Sequence, residues 1–255
     1  MKIENTKKQL IVDFESWKTA FIEVDKEDNW KEGRSACTLA KYFTTPNIEE
    51  SDGIKKIKEY FEALGFSNPK FEYAEIEHRS PFDKYKGGTR MQDLVIWGES
   101  EKGSILTCIE AKVDEEFNEL LNEAYDTAKQ KFEKDPNSNV QKRIEELCKK
   151  YLNVNAESIK SEYENNIRYQ LLYYLAGSIC EAKEYGNVVF MPIMVFKTNM
   201  YDAAKGKRNR EDYEQFRKAL KFEMCNKEKG IFKRTFEGID VYISYIEIDF
   251  EKLRK

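Results

Sequence analysis

Hydrophobic and polar residues follow one another in blocks whose spacing predicts alternating strands and helices. Apolar side chains recur at helical spacing within residues 1–45, 54–64, 117–166, 167–185 and 213–222. Short runs rich in β-branched and aromatic residues predict strands at residues 71–78, 92–97, 104–112, 187–196 and 241–248. This order of elements predicts an α/β layered fold. We expect a single domain over residues 1–255, with residues 117–166 as a helical insertion packed on its core.

The predicted hairpin of residues 92–112 carries charges at the ends of its two strands. Asp93 lies at the start of the first strand, and Glu110 and Lys112 lie at the end of the second. Side chains alternate along a strand, so Glu110 and Lys112 point to the same face. The two ends lie side by side in an antiparallel pair, and we therefore expect Asp93 and Glu110 to come within reach of one metal ion.

These residue types favour a divalent-cation site. Two carboxylates and a backbone carbonyl form the hard-oxygen environment that suits Mg²⁺ or Mn²⁺. Lys112 on the same face could orient a water molecule and offset charge on a phosphate. The tripeptide alone is weak support, because residues 181–183 repeat Glu-Ala-Lys. That copy lies in a predicted helix, where residues i and i+2 do not share a face, and we expect it to be solvated.

Composition excludes several other kinds of site. His78 is the only histidine, so zinc sites with two histidines are impossible. The five cysteines are odd in number and never form a Cys-x-x-Cys pair, which favours reduced thiols and a cytoplasmic protein. No phosphate-binding glycine loop is present. No apolar run approaches the roughly 20 residues of a membrane span, and the N-terminus lacks the apolar stretch of a signal peptide.

Asp93, the hairpin and Glu110-x-Lys112 resemble the catalytic core of the PD-(D/E)XK, or restriction-endonuclease-like, nuclease superfamily. Gln170 and Tyr174 resemble the Gln-x-x-x-Tyr helix of its exonuclease-type branches. More narrowly, the chain resembles an uncharacterised bacterial branch through short segments between residues 30 and 200. It departs from the superfamily pattern in having Gln92, rather than proline, before Asp93.

The resemblance implies a central mixed β-sheet flanked by helices and Mg²⁺-dependent hydrolysis of nucleic-acid phosphodiester bonds. It implies Asp93, Glu110, Lys112 and Gln170 as catalytic residues, with Mg²⁺ (or Mn²⁺) held by Asp93 and Glu110. Glu75 and Glu77 compete as a third metal-binding carboxylate, and we prefer Glu77 because it lies in a segment that matches the branch.

The charge distribution leaves room for a nucleic-acid partner despite a net charge of −4. Residues 197–234 carry twelve Lys or Arg against six Asp or Glu, so this segment is +6 and the remainder −10. We expect a flexible basic loop there to contact nucleic acid, although a merely solvated loop fits equally well. Further candidate phosphate contacts lie elsewhere in the chain. The predicted nucleic-acid-binding residues are Arg34, Arg168, Lys205, Lys207, Arg208 and Arg210.

The sequence thus predicts a Mg²⁺-dependent nuclease that acts on DNA, with a role in restriction or phage defence suggested by analogy. Two alternatives stay open. One is a non-catalytic nucleic-acid-binding or regulatory module on the same fold, and the other is a phosphodiesterase that acts on RNA or a nucleotide. A homodimer would suit duplex cleavage, and any sequence specificity would come from loops or from a partner protein.

Overall fold

A mixed β-sheet of nine strands forms the centre of the computed structural model, which describes residues 1–25, 27–85, 89–161 and 164–253. The strands are β1 (Lys2–Asn5), β2 (Leu10–Ile11), β3 (Lys70–Pro81), β4 (Thr89–Ser100), β5 (Gly103–Lys112), β6 (Val188–Phe196), β7 (Glu223–Asn226), β8 (Ile231–Phe236) and β9 (Ile239–Ile248). Their order across the sheet is β2-β1-β3-β4-β5-β6-β9-β8-β7. The pairs β5–β6 and β6–β9 are parallel, and β3–β4–β5 is antiparallel.

Helices cover both faces of this sheet. They are α1 (Phe14–Ile22), α2 (Ser35–Thr44), α3 (Asp52–Ala63), α4 (Leu121–Lys134), α5 (Val140–Leu147), α6 (Tyr169–Tyr185), α7 (Ala203–Ala219) and α8 (Phe250–Leu253). Helices α1 to α3 pack their apolar residues on one face, and α4 to α7 pack on the other. The predicted α/β fold, a central mixed sheet flanked by helices, is confirmed. Within the described ranges, no helix is long and apolar enough to cross a membrane.

The segment between β5 and α6 is helical where it is described. It contains α4, α5, a π-helical turn at Cys148–Leu152 and a short 3₁₀ helix at Ala156–Ser158. Its buried residues share one hydrophobic core with α6 and the sheet. That residues 117–166 form an insertion in a single domain stays a prediction.

Three parts of the chain differ from the sequence prediction, and one of them is the segment of β7 and β8, where no strand was predicted. Residues 1–11 contain β1 and β2 rather than a helix, because Ile3 and Ile11 are buried and pair with each other while β1 adds to β3. Residues 205–210 lie in helix α7 rather than in a flexible loop. Asp202 caps this helix by accepting hydrogen bonds from the amides of Ala204 and Lys205 at 2.8 and 3.0 Å.

Candidate active site

Strands β4 and β5 present Asp93 and Glu110 next to each other at the end of their antiparallel pairing. Leu94 pairs with Ile109, so Asp93 and Glu110 come one position further along their strands. The Asp93 Oδ2 atom accepts a hydrogen bond of 2.7 Å from the backbone amide of Ala111. This contact fixes the carboxylate of Asp93 against the strand that carries Glu110.

The carboxylate of Glu110 is the centre of a buried polar cluster. Glu110 is only 2% exposed, and its Oε1 accepts a hydrogen bond of 2.7 Å from Gln170 Nε2. The Nζ atom of Lys112 lies 3.1 Å from the same oxygen. On the other side, Arg90 Nη2 donates to Glu110 Oε2. Two predicted catalytic residues, Lys112 and Gln170, therefore each contact the third, Glu110.

The helix that carries Gln170 is aligned along β5 by a further contact. Tyr174, one helical turn after Gln170, is buried and donates its hydroxyl hydrogen to the carbonyl of Cys108. Residues four apart on a helix share a face, so this bond and the bond from Gln170 to Glu110 fix α6 at two points along one strand. The position of the Gln170 amide is thus set by packing as well as by its own hydrogen bond.

Strands β3 and β4 reverse the direction of their side chains at Glu77 and Asp93. Ile76 and Leu94 lie in the core that faces α1 to α3. Residues two apart on a regular strand point to the same face. Gln92, two positions before Leu94, instead points to the opposite face, where its side chain donates a hydrogen bond of 3.3 Å to Ser178 of α6. The backbone of Glu77 takes a φ of +49°, in the left-handed region that side chains other than glycine and asparagine rarely adopt. Such strain is typical of functional sites.

A cleft of about 410 Å³ opens at this point of the sheet. Glu77, Asp93 and Arg90 line it, together with residues from α1, α2 and the segment after β5. Its carboxylates outnumber its cations. The acidic lining residues are Asp25, Asp28, Glu77, Asp93 and Glu115, and the basic ones are Lys31, Arg34 and Arg90.

Burial, together with the crowding of carboxylates, raises the pKa values of Asp93 and Glu77. Burial, followed by the negative charge of Glu110, raises the pKa of Asp93 to about 7, although Arg90 and Lys112 oppose the shift. Burial and the charge of Asp93 also hold the pKa of Glu77 well above its ordinary value. Glu77 is 8% exposed, and none of the described residues donates a hydrogen bond to its carboxylate. The cluster of Glu77, Asp93 and Glu110 thus has more negative charge than its neighbours neutralise.

The carboxylate oxygens of this cluster are suitable ligands for a divalent cation. Its three members are carboxylates, the ligand type that Mg²⁺ and Mn²⁺ prefer, and a cation would relieve the electrostatic repulsion between them. Within the described parts of the chain, no three His, Cys, Asp or Glu side chains are arranged around one point as a ready-made metal site. Binding would therefore require Glu110 to exchange its contact with Arg90, or two carboxylates to act with a backbone carbonyl.

The two rival third carboxylates have different surroundings. Glu75 contacts Lys8 at 2.8 Å, Tyr73 at 2.9 Å and His78 at 2.8 Å, away from the cleft. Burial alone would raise its pKa, but these partners lower it to about 2. Glu77 lines the cleft beside Asp93. Of the two, Glu77 has the position that a third ligand would need.

The predicted phosphate contacts are dispersed. Among the described residues that line the cleft, Arg34 is the one member of that group, and it pairs with Asp114. Arg168 binds Asp212 at 2.9 Å and the carbonyl of Asn118 at 2.8 Å, so it joins α6 to α7 and to the segment before α4. The basic residues of α7 lie on a helix whose Arg208 contacts Glu116 at 3.2 Å, just after β5. The four basic residues lie near the end of β5 and do not line the cleft: Lys205, Lys207, Arg208 and Arg210.

The second Glu-Ala-Lys copy differs from its predicted setting. Glu181 is largely buried and contacts His78 Nε2 at 2.9 Å, while Lys183 pairs with Glu237. Glu181 is therefore part of an ion-pair network with His78 rather than solvated, whereas Lys183 is exposed to solvent. It lies on α6, and neither Glu181 nor Lys183 lines the cleft.

Residues 11–250 match the family model described as "Domain of unknown function (DUF6946)". The chain belongs to the DUF6946 family. No curated protein and no solved structure matches it. The matched region of this DUF6946 chain contains every residue of the cluster around Glu110.

Two residues of the DUF6946 site were not predicted from the sequence. Arg90 contacts Glu110 directly. The sequence held a hint of this, because polar residues stand at the alternate positions Arg90 and Gln92, just before Asp93. Glu115 accepts hydrogen bonds from the amides of Val113 at 2.6 Å and Ser35 at 3.3 Å. Burial would raise its pKa, but these backbone donors lower it. Glu115 thereby joins the end of β5 to the first residue of α2.

Proposed function

We propose that this chain is a Mg²⁺-dependent nuclease that hydrolyses phosphodiester bonds in DNA, as its resemblance to the PD-(D/E)XK superfamily implies, and that it acts in the cytoplasm. One observation carries the proposal. Lys112 and Gln170 both contact Glu110, at 3.1 and 2.7 Å, and the amide of the residue between Glu110 and Lys112 binds Asp93. Asp93, Glu110 and Lys112 thus come together at the end of β5. Helix α6 contacts this group through Gln170.

The residues would divide the work as follows. Asp93 and Glu110, with Glu77 as the third carboxylate, would hold Mg²⁺ or Mn²⁺. A bound divalent ion supplies a Lewis acid for the phosphate and lowers the pKa of coordinated water. Lys112 is 8% exposed, and it would orient the attacking water while offsetting negative charge on the phosphate. Gln170 keeps the carboxylate of Glu110 in one orientation.

The acidic lining of the cleft suggests that the divalent metal ion would also help to bind the substrate, in addition to its role in catalysis. Five carboxylates and three basic side chains line it, so once Asp93 and Glu77 are ionised a phosphate would meet net repulsion without a divalent ion. Helix α7 begins next to the catalytic strand, and its Lys205, Lys207, Arg208 and Arg210 offer positive charge for the flanking backbone of a nucleic acid. Arg34 adds a cation within the cleft itself.

A cleavage panel tests the proposal and its two alternatives. Purified protein is incubated with supercoiled, linear and single-stranded DNA and with RNA, each with Mg²⁺, Mn²⁺ or EDTA, alongside an Asp93→Asn variant. We expect DNA cleavage with Mg²⁺ or Mn²⁺ and none in EDTA. The Asp93→Asn variant should cleave DNA about 100-fold more slowly than the wild type, or slower still. Cleavage of RNA alone would favour an RNA phosphodiesterase. Nucleic-acid binding without cleavage would favour a non-catalytic module.

A further inference from the structure

Arg90 is a buried arginine at the proposed site. It is 8% exposed, lines the cleft and donates its Nη2 hydrogen to Glu110 Oε2. We propose that Arg90 is a further catalytic residue, one that binds a non-bridging oxygen of the scissile phosphate. This inference rests on the proposed nuclease function and names a group that would touch its substrate.

The guanidinium of Arg90 has hydrogen-bond donors to spare. Arginine carries five N–H donors in a rigid planar fork, and the described neighbours use only the one at Nη2 that binds Glu110. Its Nε atom is buried and has no hydrogen-bond partner among the described residues. Buried donors without partners are rare in folded proteins. The planar fork matches phosphate geometry and could bind Glu110 and a phosphate oxygen together.

Packing holds Arg90 in place at the cleft. The guanidinium carbon lies 5.4 Å from the ring centre of Tyr173 and 5.8 Å from that of Tyr174, within the range of cation–π attraction. The stem of Arg90 passes over Gly177 of α6, where an added Cβ atom would lie only 3.1 Å from the Arg90 Cβ. A donor that is fixed before the substrate arrives needs no reorganisation in the transition state.

Neutralising Glu110 does not by itself account for Arg90. Glu110 already has Lys112 at 3.1 Å and the amide of Gln170 at 2.7 Å. The other arginine in the cleft, Arg34, is paired with Asp114. Arg90 is therefore the cleft arginine that combines burial, contact with a proposed metal ligand and a free donor.

The test compares Arg90→Lys with a matched variant, Arg143→Lys. Arg143 is also 8% exposed, pairs with Asp83 and lies 5.7 Å from the ring of Phe82, but it does not line the cleft. At saturating Mg²⁺ we expect Arg90→Lys to lower kcat/KM by about 100-fold, because lysine keeps the charge and loses the fork. Arg143→Lys should stay within about twofold of the wild type.

Direct binding separates a phosphate contact from an effect through Glu110. With Ca²⁺ in place of Mg²⁺, the affinity for a fluorescein-labelled DNA should fall about threefold in Arg90→Lys, less than the kinetic loss, since the contact strengthens in the transition state. If more Mg²⁺ restores the activity of Arg90→Lys, Arg90 acts only on metal binding and the inference is overturned.

Gly177→Ala provides a second variant in case Arg90→Lys does not fold. It leaves the charge of Arg90 intact, suits a helix, and displaces the Arg90 stem. We expect a fall in kcat/KM of about tenfold, and unchanged kinetics would contradict the inference. Wild-type cleavage that persists within about threefold in Arg90→Lys would overturn this inference alone. A wild type that neither cleaves nor binds DNA would overturn the nuclease function and this inference together.

Discussion

Gln170 Nε2 donates a hydrogen bond of 2.7 Å to Glu110 Oε1 and joins helix α6 to strand β5 across 60 positions of the chain. The acceptor is 2% exposed and the donor 7%. A hydrogen bond to a buried charged group is worth more than one between neutral groups. This bond therefore sets the orientation of the carboxylate that would hold the metal ion.

Gln170→Leu should weaken both stability and activity. We expect the free energy of unfolding to fall by about 1–3 kcal/mol, because Glu110 loses a buried donor. Cleavage should fall by about 10- to 100-fold as the carboxylate loses its fixed orientation. Urea denaturation and steady-state kinetics measure the two effects. Gln141→Leu is the control: Gln141 binds Glu145 at 2.9 Å outside the cleft, and its change should stay within about 0.5 kcal/mol.

Glu77→Gln should stabilise the protein while it abolishes cleavage. The folded-state pKa of Glu77 lies above its ordinary value because of burial and the charge of Asp93, so its ionised form opposes folding as pH rises. In EDTA at pH 8, the amide should raise the free energy of unfolding by about 1 kcal/mol. Glu237→Gln is a matched control, because Glu237 also has a left-handed backbone, with a φ of +52°, but is paired with two lysines. It should leave cleavage unchanged. A destabilised Glu77→Gln protein would show that Glu77 has a structural role.

His78 should make stability fall at alkaline pH. Burial lowers its pKa, but Glu181 and Glu75 outweigh that effect and raise the pKa to about 9, from an ordinary value of 6.5. A raised pKa in the folded state stabilises fully below pH 6.5, and this contribution disappears as pH passes through 9. The difference between the free energies of unfolding at pH 6 and pH 9.5, measured by urea denaturation, should be larger in the wild type than in His78→Asn by about 1–3 kcal/mol. Equal pH dependence in the two proteins would rule out this ion-pair network.

The basic start of helix α7 should contribute to affinity for DNA through charge alone. A Lys205→Gln, Lys207→Gln double variant should weaken binding at low salt for every DNA sequence. The slope of log affinity against log salt should become shallower by about 1 to 2. Fluorescence anisotropy at several salt concentrations measures that slope. The charge-matched control is Lys131→Gln with Lys134→Gln at the end of α4, which should keep the wild-type slope.

Local patterns in the sequence were enough to predict the five strands β3, β4, β5, β6 and β9, the hairpin of β4 and β5, and the shared face of Glu110 and Lys112. The features that were missed depend on distant contacts. Strand β1 is specified by pairing with β3, some seventy residues away, and no short apolar run reveals that partner. The position of Arg90 follows from the reversal of side chains near Glu77, which strict alternation along a strand does not predict.

The first part of helix α7, residues 205–210, was predicted as a loop for a different reason. Its dense charge suggested a flexible, solvated segment, but lysine and arginine are good helix formers. Packing also explains the glycine, because a Cβ atom at Gly206 would lie 1.9 Å from the hydroxyl of Tyr201. The glycine thus marks a close contact between the helix and Tyr201 rather than a flexible turn.

The most direct test of the proposed active site is single-turnover cleavage of supercoiled DNA by Lys112→Ala and Lys183→Ala. Both lysines end a Glu-Ala-Lys tripeptide, but only Lys112 contacts the glutamate at the centre of the site. With Mg²⁺, Lys112→Ala should cleave about 100-fold more slowly than the wild type, while Lys183→Ala should stay within about twofold of the wild-type rate. Cleavage by Lys112→Ala at the wild-type rate would contradict the proposed active site.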